Sequence, residues 1–385
     1  MRRLLSHCFF LSFGLLASAC TPNDPCKIDE QSFSVCLKLA TEGDTTAQYK
    51  TGRLYEKGLG IQQDYREAIK WYTQAAKQGN TNAQSFLASL YNHGLGIQQN
   101  YQEAVVWYTK AAKQGNAYSQ ASLCYLYITG KGVTQDYQEA LKWCTKAARQ
   151  RVDSAQANMG YLYFNGLSVE QNYKEAIKWY TKAAEQGYIR SQNRLGDIYS
   201  EGLRVPQNYS EAVKWYTKAA EQGDSSAQAK LSLFYAKGLG VEQNYQTAIE
   251  WSTQSANQGN ADGQNILGFL YMEGLGVTKD GSVAMKWFLK AASQGYPTAQ
   301  NNVGQLYWYG NGVKKDHLKA MKWFLKAAAQ NDGYAQRNLA MIYELGQVVP
   351  QDYAKALELY QKAADKGVDN LEMKVKELKE KLNRS

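Results

Sequence analysis

Few residues of this chain have the types and spacing that catalysis or metal binding requires. Its 385 residues include six cysteines and three histidines, and the histidines are His7, His93 and His317. Neither a Cys-x-x-Cys nor a His-x-x-x-His spacing occurs, so the usual zinc-binding patterns are missing. No Ser-His-Asp set can be assembled from the sequence. We therefore predict no catalytic residue, no metal site and no cofactor, and we expect a protein that is not an enzyme.

The cysteines that follow Cys20 form two pairs by position. Cys26 and Cys36 are candidates for a disulfide in an oxidising compartment, where closing so short a loop contributes about 2–3 kcal/mol. Cys124 and Cys144 are expected to be buried thiols, with a bridge between them as the alternative.

Lysine beside tryptophan is the pattern that could suggest nucleic-acid binding. The formal net charge is +9, or +7 without Arg2 and Arg3, and the pair Lys142-Trp143 has several equivalents. The alternative is a solvated outer face with the tryptophan buried between structural units. We favour that alternative, because no further nucleic-acid motif accompanies the lysines. No nucleic-acid partner is expected.

These tryptophans reveal an internal repeat. They recur every 36 residues, and only Trp308 of the nine is out of register. An Ala-Gln or similar pair, a tyrosine and an alanine recur with the same step, which defines nine consecutive units over roughly residues 44–367. Such a period is typical of stacked identical units. The tryptophans in register are Trp71, Trp107, Trp143, Trp179, Trp215, Trp251, Trp287 and Trp323.

Each unit predicts two helices. Ala155, Met159 and Leu162 show the helical spacing of the first one. A glycine after it, such as Gly166, favours a left-handed cap. The second helix begins at an aspartate or asparagine, and in five units a glutamate three residues later predicts a capping box. A small residue in mid-helix, such as Gly52, predicts close approach of the partner helix, since glycine there costs about 1 kcal/mol of helix propensity.

The chain resembles the Sel1-like repeats, which are related to the tetratricopeptide repeat. The pattern is Ala-Gln-x-x-Leu-Gly-x-Leu-Tyr-x-x-Gly, a Gly-x-Gly-Val turn, and Glu-Ala-x-Lys-Trp-Tyr-x-Lys-Ala-Ala; residues 227–259 and 299–328 show most of it. The resemblance implies an all-α fold, a right-handed α-solenoid of nine 36-residue helix-turn-helix repeats with terminal capping helices. It also implies a concave face that binds a partner.

The two ends of the chain differ from the repeats. Residues 1–19 have a basic start and a short apolar stretch, which predicts a signal peptide. Cys20 ends a sequence that resembles a bacterial lipobox, so lipidation of Cys20 is expected, and cleavage by ordinary signal peptidase is the alternative. Residues 20–43 are interpreted as a linker and a capping half-repeat, and residues 368–385 as a C-terminal capping helix.

Positions that vary between units are candidates for partner binding. By analogy with tetratricopeptide units, the positions one and four residues after the small residue line the groove, where aromatic anchors would dominate an interface. Burial of these side chains against the next unit is the alternative. Trp308, the tryptophan out of register, is interpreted as the best indicator of where a partner binds. The predicted partner-binding residues are Tyr125, Ile128, Tyr161, Phe164, Asp197, Leu233, Phe269, Met272, Trp308 and Tyr309.

The expected function is an exported, non-enzymatic scaffold that binds a protein or peptide. It would be an outer-membrane or periplasmic lipoprotein, held to the membrane through Cys20, or a secreted protein. The resemblance allows a role in host interaction, such as entry or vesicle trafficking. The alternatives are an envelope protein that binds peptidoglycan or another glycan, and a hydrolase of the cell envelope.

Overall fold

The computed structural model describes residues 25–384, which form twenty α-helices and no β-strand. The all-α prediction is confirmed. The predicted signal peptide, residues 1–19, and Cys20 lie outside the described residues. The helices belong to two compact units that divide between Gln171 and Asn172, within the fourth repeat.

Nearly all the helices are 13 residues long and alternate between first and second helices of a repeat. The first unit contains α1 (Phe33–Thr41), α2 (Thr45–Lys57), α3 (Tyr65–Lys77), α4 (Thr81–His93), α5 (Tyr101–Lys113), α6 (Ala117–Thr129), α7 (Tyr137–Arg149) and α8 (Asp153–Asn165). The second contains α9 (Tyr173–Glu185), α10 (Ile189–Glu201), α11 (Tyr209–Glu221), α12 (Ser225–Lys237), α13 (Tyr245–Asn257), α14 (Ala261–Glu273), α15 (Gly281–Ser293), α16 (Pro297–Tyr309), α17 (His317–Ala328), α18 (Gly333–Leu345), α19 (Tyr353–Asp365) and α20 (Glu372–Arg384).

Caps set the ends of these helices as predicted. Each first helix ends at a glycine in the left-handed region, for example Gly238 with φ of 68°. Such a φ suits glycine because it has no Cβ. Each second helix begins at an aspartate or asparagine whose side chain accepts from the first turn, as Asn244 does from the amide of Thr247 at 3.0 Å.

Only half of the predicted capping box forms in the third repeat, where Asp136 accepts from the amide of Glu139 at 3.0 Å. The backbone amide of Asp136 already donates to the carbonyl of Tyr127 at 3.1 Å, so a glutamate side chain has no donor to satisfy there. Glu139 pairs instead with Lys142 on the next turn, at 2.8 Å. The amide-to-carbonyl bond ties the start of a second helix to the end of the first. Equivalent bonds join Asp64 to Tyr55, Asn208 to Tyr199 and Asn244 to Tyr235.

The interior of a repeat is a contact between a small residue and an aromatic ring. A Cβ added to Gly52 would lie 2.7 Å from the ring of Tyr72, and one added to Gly268 would lie 2.8 Å from the ring of Phe288. Both rings are fully buried. The predicted close approach is confirmed, and the absence of a Cβ permits it.

Two repeats replace this contact in a paired manner. Cys124 and Cys144 occupy the small and aromatic positions of the third repeat, and a disulfide joins them. The expectation of two separate thiols is wrong. Their positions face each other where the two helices are closest, and their Cα atoms are 5.0 Å apart, which is within bridging range. In the sixth repeat Ser232 and Ser252 take these positions, and both hydroxyls donate to a backbone carbonyl.

The recurring glutamine joins three helix segments. Gln228 is buried, and its Nε2 donates to the carbonyl of Ala220 at 3.1 Å, at the end of the preceding second helix. Its Oε1 accepts from Gln258 at 2.8 Å, after the second helix of its own repeat. Buried polar groups are costly unless they are bonded. These bonds explain why the glutamine recurs at every step.

The tryptophans in register lie between repeats, as expected, but only Trp143 and Trp215 are buried, and the other six are half-buried. Trp107 packs against the buried cluster that contains Tyr72 of the preceding repeat and Leu87 and Leu90 of its own repeat. The ammonium of Lys110 lies over the ring, 4.0 Å from its centroid, so a cation covers one face of the ring.

Additional segments cover both ends of the array. At the N-terminus a disulfide joins the candidate pair Cys26 and Cys36, and α1 packs on α2. At the C-terminus α20 packs on α19 and buries Leu371 and Leu378 completely or nearly so. None of the helices in the described part of the chain combines the length and apolar character needed to cross a bilayer.

Candidate binding face

The candidate site is the exposed side of the first helices. First helices of neighbouring repeats contact each other, as α6 does with α8 and α12 with α14. Equivalent side chains on neighbouring helices therefore lie side by side. In four repeats the residue directly after the small interior position is exposed, as Tyr125 and Phe269 are. A row of such residues can contact an extended ligand that crosses several repeats.

Two pairs of apolar side chains are exposed on this face. Tyr125 and Tyr161 form one pair on α6 and α8, and Leu233 and Phe269 form the other on α12 and α14. Their exposed fractions lie between 37% and 43%. Large apolar side chains with this exposure can be buried by a partner at little entropic cost, particularly the aromatic ones.

Half-buried side chains support the first pair. Ile128 and Phe164 lie three residues further along the same helices, and both are partly covered. The structure therefore brings four of the predicted partner-binding residues, Tyr125, Ile128, Tyr161 and Phe164, to one face of the first unit.

A polar cluster precedes the apolar pair of the second unit. The hydroxyl of Tyr216 donates to Asp197 at 2.7 Å, and Lys230 forms an ion pair with the same carboxylate. Burial raises the pKa of Tyr216 well above its usual value, so its hydroxyl stays protonated and donates. Asp197, which was predicted to contact a partner, thus has two internal partners.

Similar clusters occur in the first and last repeats. Arg53 lies 3.1 Å from Glu56, and the same carboxylate accepts from the hydroxyl of Tyr72. In the last repeat Glu344 accepts from Tyr360 at 2.9 Å and pairs with Lys374. An acid and a tyrosine of repeats one, five and nine therefore meet a base, which comes from the same repeat in the first case, from the sixth repeat in the second and from α20 in the third. Sequence reasoning missed this arrangement, although the acids at the varying positions were a signal for it.

Trp308 and Met272 do not belong to the exposed face. They are only 8% and 9% exposed. Trp308 packs with Phe324 and Leu339, and it stacks on His317 with 4.2 Å between ring centroids. The expectation that these two residues are exposed anchors is wrong, because the helix turns them toward the core. Tyr309, the next residue, is exposed instead.

The described residues show no metal centre. Among residues 25–384, no three histidine, cysteine or acidic side chains lie together in a way that could hold a metal ion. Stacked helix pairs with an exposed row of varying side chains define a helical-repeat scaffold.

The particular family follows from comparison with known proteins. A family model described as the Sel1 repeat matches nine successive segments, and the chain belongs to this family, as the resemblance implied. Repeats of this family commonly mediate protein–protein interactions. The matched segments are residues 45–80, 81–116, 117–152, 153–188, 189–224, 225–260, 261–296, 297–332 and 333–368.

Solved structures of similar proteins have the same fold. One is c5321, a protective antigen of uropathogenic Escherichia coli; it is 35% identical, with a TM-score of 0.69 over 90% of this chain and 82% of that chain. Another is a Sel1 repeat protein of Oxalobacter formigenes; it is 35% identical, with a TM-score of 0.54 over 63% of this chain and 96% of that chain. Curated proteins give no match.

Proposed function

We propose that this protein is an exported binding scaffold that holds a protein or peptide ligand on the exposed face of its first helices. The observation that carries the proposal is the pairing of exposed apolar side chains on neighbouring first helices. Each repeat already buries its own core, so folding does not require these side chains to be apolar. Their cost in solvent is offset when a ligand covers them.

The proposed ligand is an extended segment with spaced apolar side chains. Neighbouring packed helices are about 8–10 Å apart. A segment in the polyproline II conformation rises about 3.1 Å per residue with three residues per turn. Two ligand side chains three residues apart would therefore lie on the same side and span Tyr125 and Tyr161. The same spacing would span Leu233 and Phe269.

Peptide display against the purified protein tests this function. We expect the selected peptides to carry apolar residues three positions apart. Tyr125→Ala with Tyr161→Ala should weaken one class of peptide at least about tenfold, in the range of aromatic hot spots. Leu233→Ala with Phe269→Ala should do the same for peptides that bind the second unit.

Thr181→Ala with Thr217→Ala, on second helices, is the matched control and should leave binding unchanged. Selected peptides that bind all three variants as well as the unchanged protein would place the site elsewhere. A thermal scan confirms that each variant is folded.

Export is part of the proposal and rests on residues 1–19 and on Cys20. The similar Escherichia coli protein is described as a protective antigen, which agrees with an exported role for this chain. Lipidation of Cys20 predicts that metabolic palmitate labelling disappears in Cys20→Ala. Labelling that persists in Cys20→Ala contradicts the anchor but leaves the binding face untested, so the two parts can be judged separately.

A role at the surface of a host cell is the finer form of this proposal. It requires that the chain be exposed outside the cell, which protease treatment of intact cells can show. Protection of the chain in intact cells would restrict its ligand to the envelope.

A further inference from the structure

The outward side of the second helices changes character along the second unit. On α9 and α11, Lys178 pairs with Glu175 at 2.9 Å and Lys214 pairs with Glu211 at 3.3 Å. A glutamate thus neutralises the lysine one turn later. On α15 and α17 the glutamate positions hold Val283 and Lys319, so this neutralisation is lost.

The loss of acids leaves a concentrated positive charge. Residues 274–331 contain eight lysines and two acidic residues, Asp280 and Asp316. Both aspartates cap helices with their carboxylates, and Asp316 also pairs with Lys319 at 3.3 Å. The lysines are Lys279, Lys286, Lys290, Lys314, Lys315, Lys319, Lys322 and Lys326, and all of them are exposed.

Leucines accompany these lysines on the same outward side. Leu289 and Leu325 occupy the position that threonine holds in the first six repeats, and Leu318 occupies a position that is elsewhere mostly polar. They are 38%, 46% and 63% exposed, in that order. On α17 the spacing of Leu318, Lys322, Leu325 and Lys326 places them on one side of the helix. We call the outward side of α15 and α17 the Lys/Leu face.

Packing does not explain the leucines. The interior of these repeats is formed by Phe288 and Phe324, which are buried with the small residues opposite them. Threonine at the equivalent positions of α9 and α11 is compatible with the same helix pair. Exposed leucine amid unneutralised lysine is the composition of surfaces that lie on anionic membranes, where apolar side chains enter the headgroup region and lysines contact the lipid charges.

We propose that the Lys/Leu face docks the protein on the surface of a bilayer that contains anionic lipids. The positive charge is spread over the whole Lys/Leu face, because exposed lysines occur on both helices and in the turns before them, as at Lys279 and Lys314. A fluid layer of anionic headgroups can meet all of them without a matching pattern of positions. An acidic protein would need carboxylates at matched places, and it is the alternative that the test separates.

Vesicle co-sedimentation of the full chain tests the proposal. All variants carry Cys20→Ser, which removes acylation and keeps the N-terminus identical. Vesicles of phosphatidylglycerol with phosphatidylcholine are compared with vesicles of phosphatidylcholine alone. We expect binding to the anionic vesicles at least about tenfold stronger, and weaker at high salt.

Two sets of four substitutions provide the matched comparison. Replacing Lys286, Lys290, Lys322 and Lys326 by glutamine should weaken binding to anionic vesicles at least about tenfold. Replacing Lys178, Lys182, Lys214 and Lys218 by glutamine removes the same charge from the same repeat positions, and should weaken it less than about twofold. Both sets contain lysines that lie over tryptophan rings before substitution. They are Lys290 and Lys326 in the first set and Lys182, Lys214 and Lys218 in the second.

The leucines are tested by restoring the residue of the other repeats. Leu289→Thr with Leu325→Thr should weaken vesicle binding about fivefold or more without unfolding, as judged by circular dichroism. Equal loss in the two lysine sets, or unchanged binding in the leucine variant, would overturn the proposal. Binding to polyglutamate but not to anionic vesicles would overturn it in favour of an acidic polypeptide.

Discussion

Two neighbouring positions of every first helix obey opposite constraints. Gly268 faces the interior, where a Cβ would meet the ring of Phe288, whereas Phe269 beside it is exposed. Cys124 is bridged to Cys144, and Tyr125 beside it is exposed. The interior positions keep a glycine or alanine opposite a tyrosine or phenylalanine in every repeat except the third and the sixth, where both members of the pair change together. The positions beside them range from arginine through aspartate to phenylalanine, and they are exposed in four repeats and half-buried in the others. This difference separates the residues that build a repeat from those that are free to bind.

Removal of the interior ring should have the largest effect on stability. Phe288→Ala should lower the free energy of unfolding by about 3–5 kcal/mol, because a cavity replaces a fully buried side chain. Ser252→Ala, at the equivalent position of the sixth repeat, should cost much less. Hydrogen exchange of α14 and α15 reports the effect locally, which suits a repeat protein. Equal losses of stability in Phe288→Ala and Ser252→Ala would show that the buried ring contributes no more than the serine that replaces it in the sixth repeat.

The paired cysteines allow the next test. Cys124→Ser with Cys144→Ser gives the third repeat the residue pair that occurs naturally in the sixth. We expect a loss of about 3 kcal/mol, because the bridge closes a loop of some twenty residues in the unfolded chain. Denaturant titration under oxidising conditions measures it. In reducing buffer the parent also lacks the bridge. The same titration should then give nearly the same free energy of unfolding for the variant and the parent.

A bulkier interior residue should have a smaller but clear effect. Gly268→Val places atoms against the ring of Phe288 and should destabilise the chain by about 1–3 kcal/mol. Thermal unfolding of Gly268→Val and of Phe269→Val, one position away on the same helix, gives the comparison. If the two variants unfold at the same temperature, the interior contact is less restrictive than its geometry indicates.

The buried glutamine tests whether bonds between repeats are as important as packing. Gln228→Ala leaves the carbonyl of Ala220 and the amide of Gln258 without this partner. We expect a loss of about 1–3 kcal/mol. Gln243→Ala is an exposed control that bonds only one carbonyl, that of Ala236. When both variants are unfolded in urea, Gln243→Ala should lose less free energy of unfolding than Gln228→Ala.

The smallest effect on stability is expected at the exposed position. Phe269→Ala should change the free energy of unfolding by less than about 0.5 kcal/mol. It should nevertheless weaken the binding of displayed peptides to the second unit. A large loss of stability would show that Phe269 is part of the core and would count against the binding face.

The sequence by itself determined the fold, because the same pattern is written nine times. Periodicity, the glycine after each first helix and the aspartate or asparagine before each second helix are local signals. They set helix ends without reference to distant residues, so they could be predicted. The small residue in mid-helix could be predicted as well, since only a close neighbour compensates for glycine in a helix.

Only the tertiary structure decided which varying residues are exposed. Trp308 and Tyr309 are adjacent in sequence, and the rotation of about 100° per residue turns the first to the core and the second to solvent. Asp197 is already bonded to Tyr216 and Lys230. The bridge between Cys124 and Cys144 likewise depends on two helices meeting at that point. Side-chain environments of this kind arise from packing between elements, and a one-dimensional pattern does not specify them.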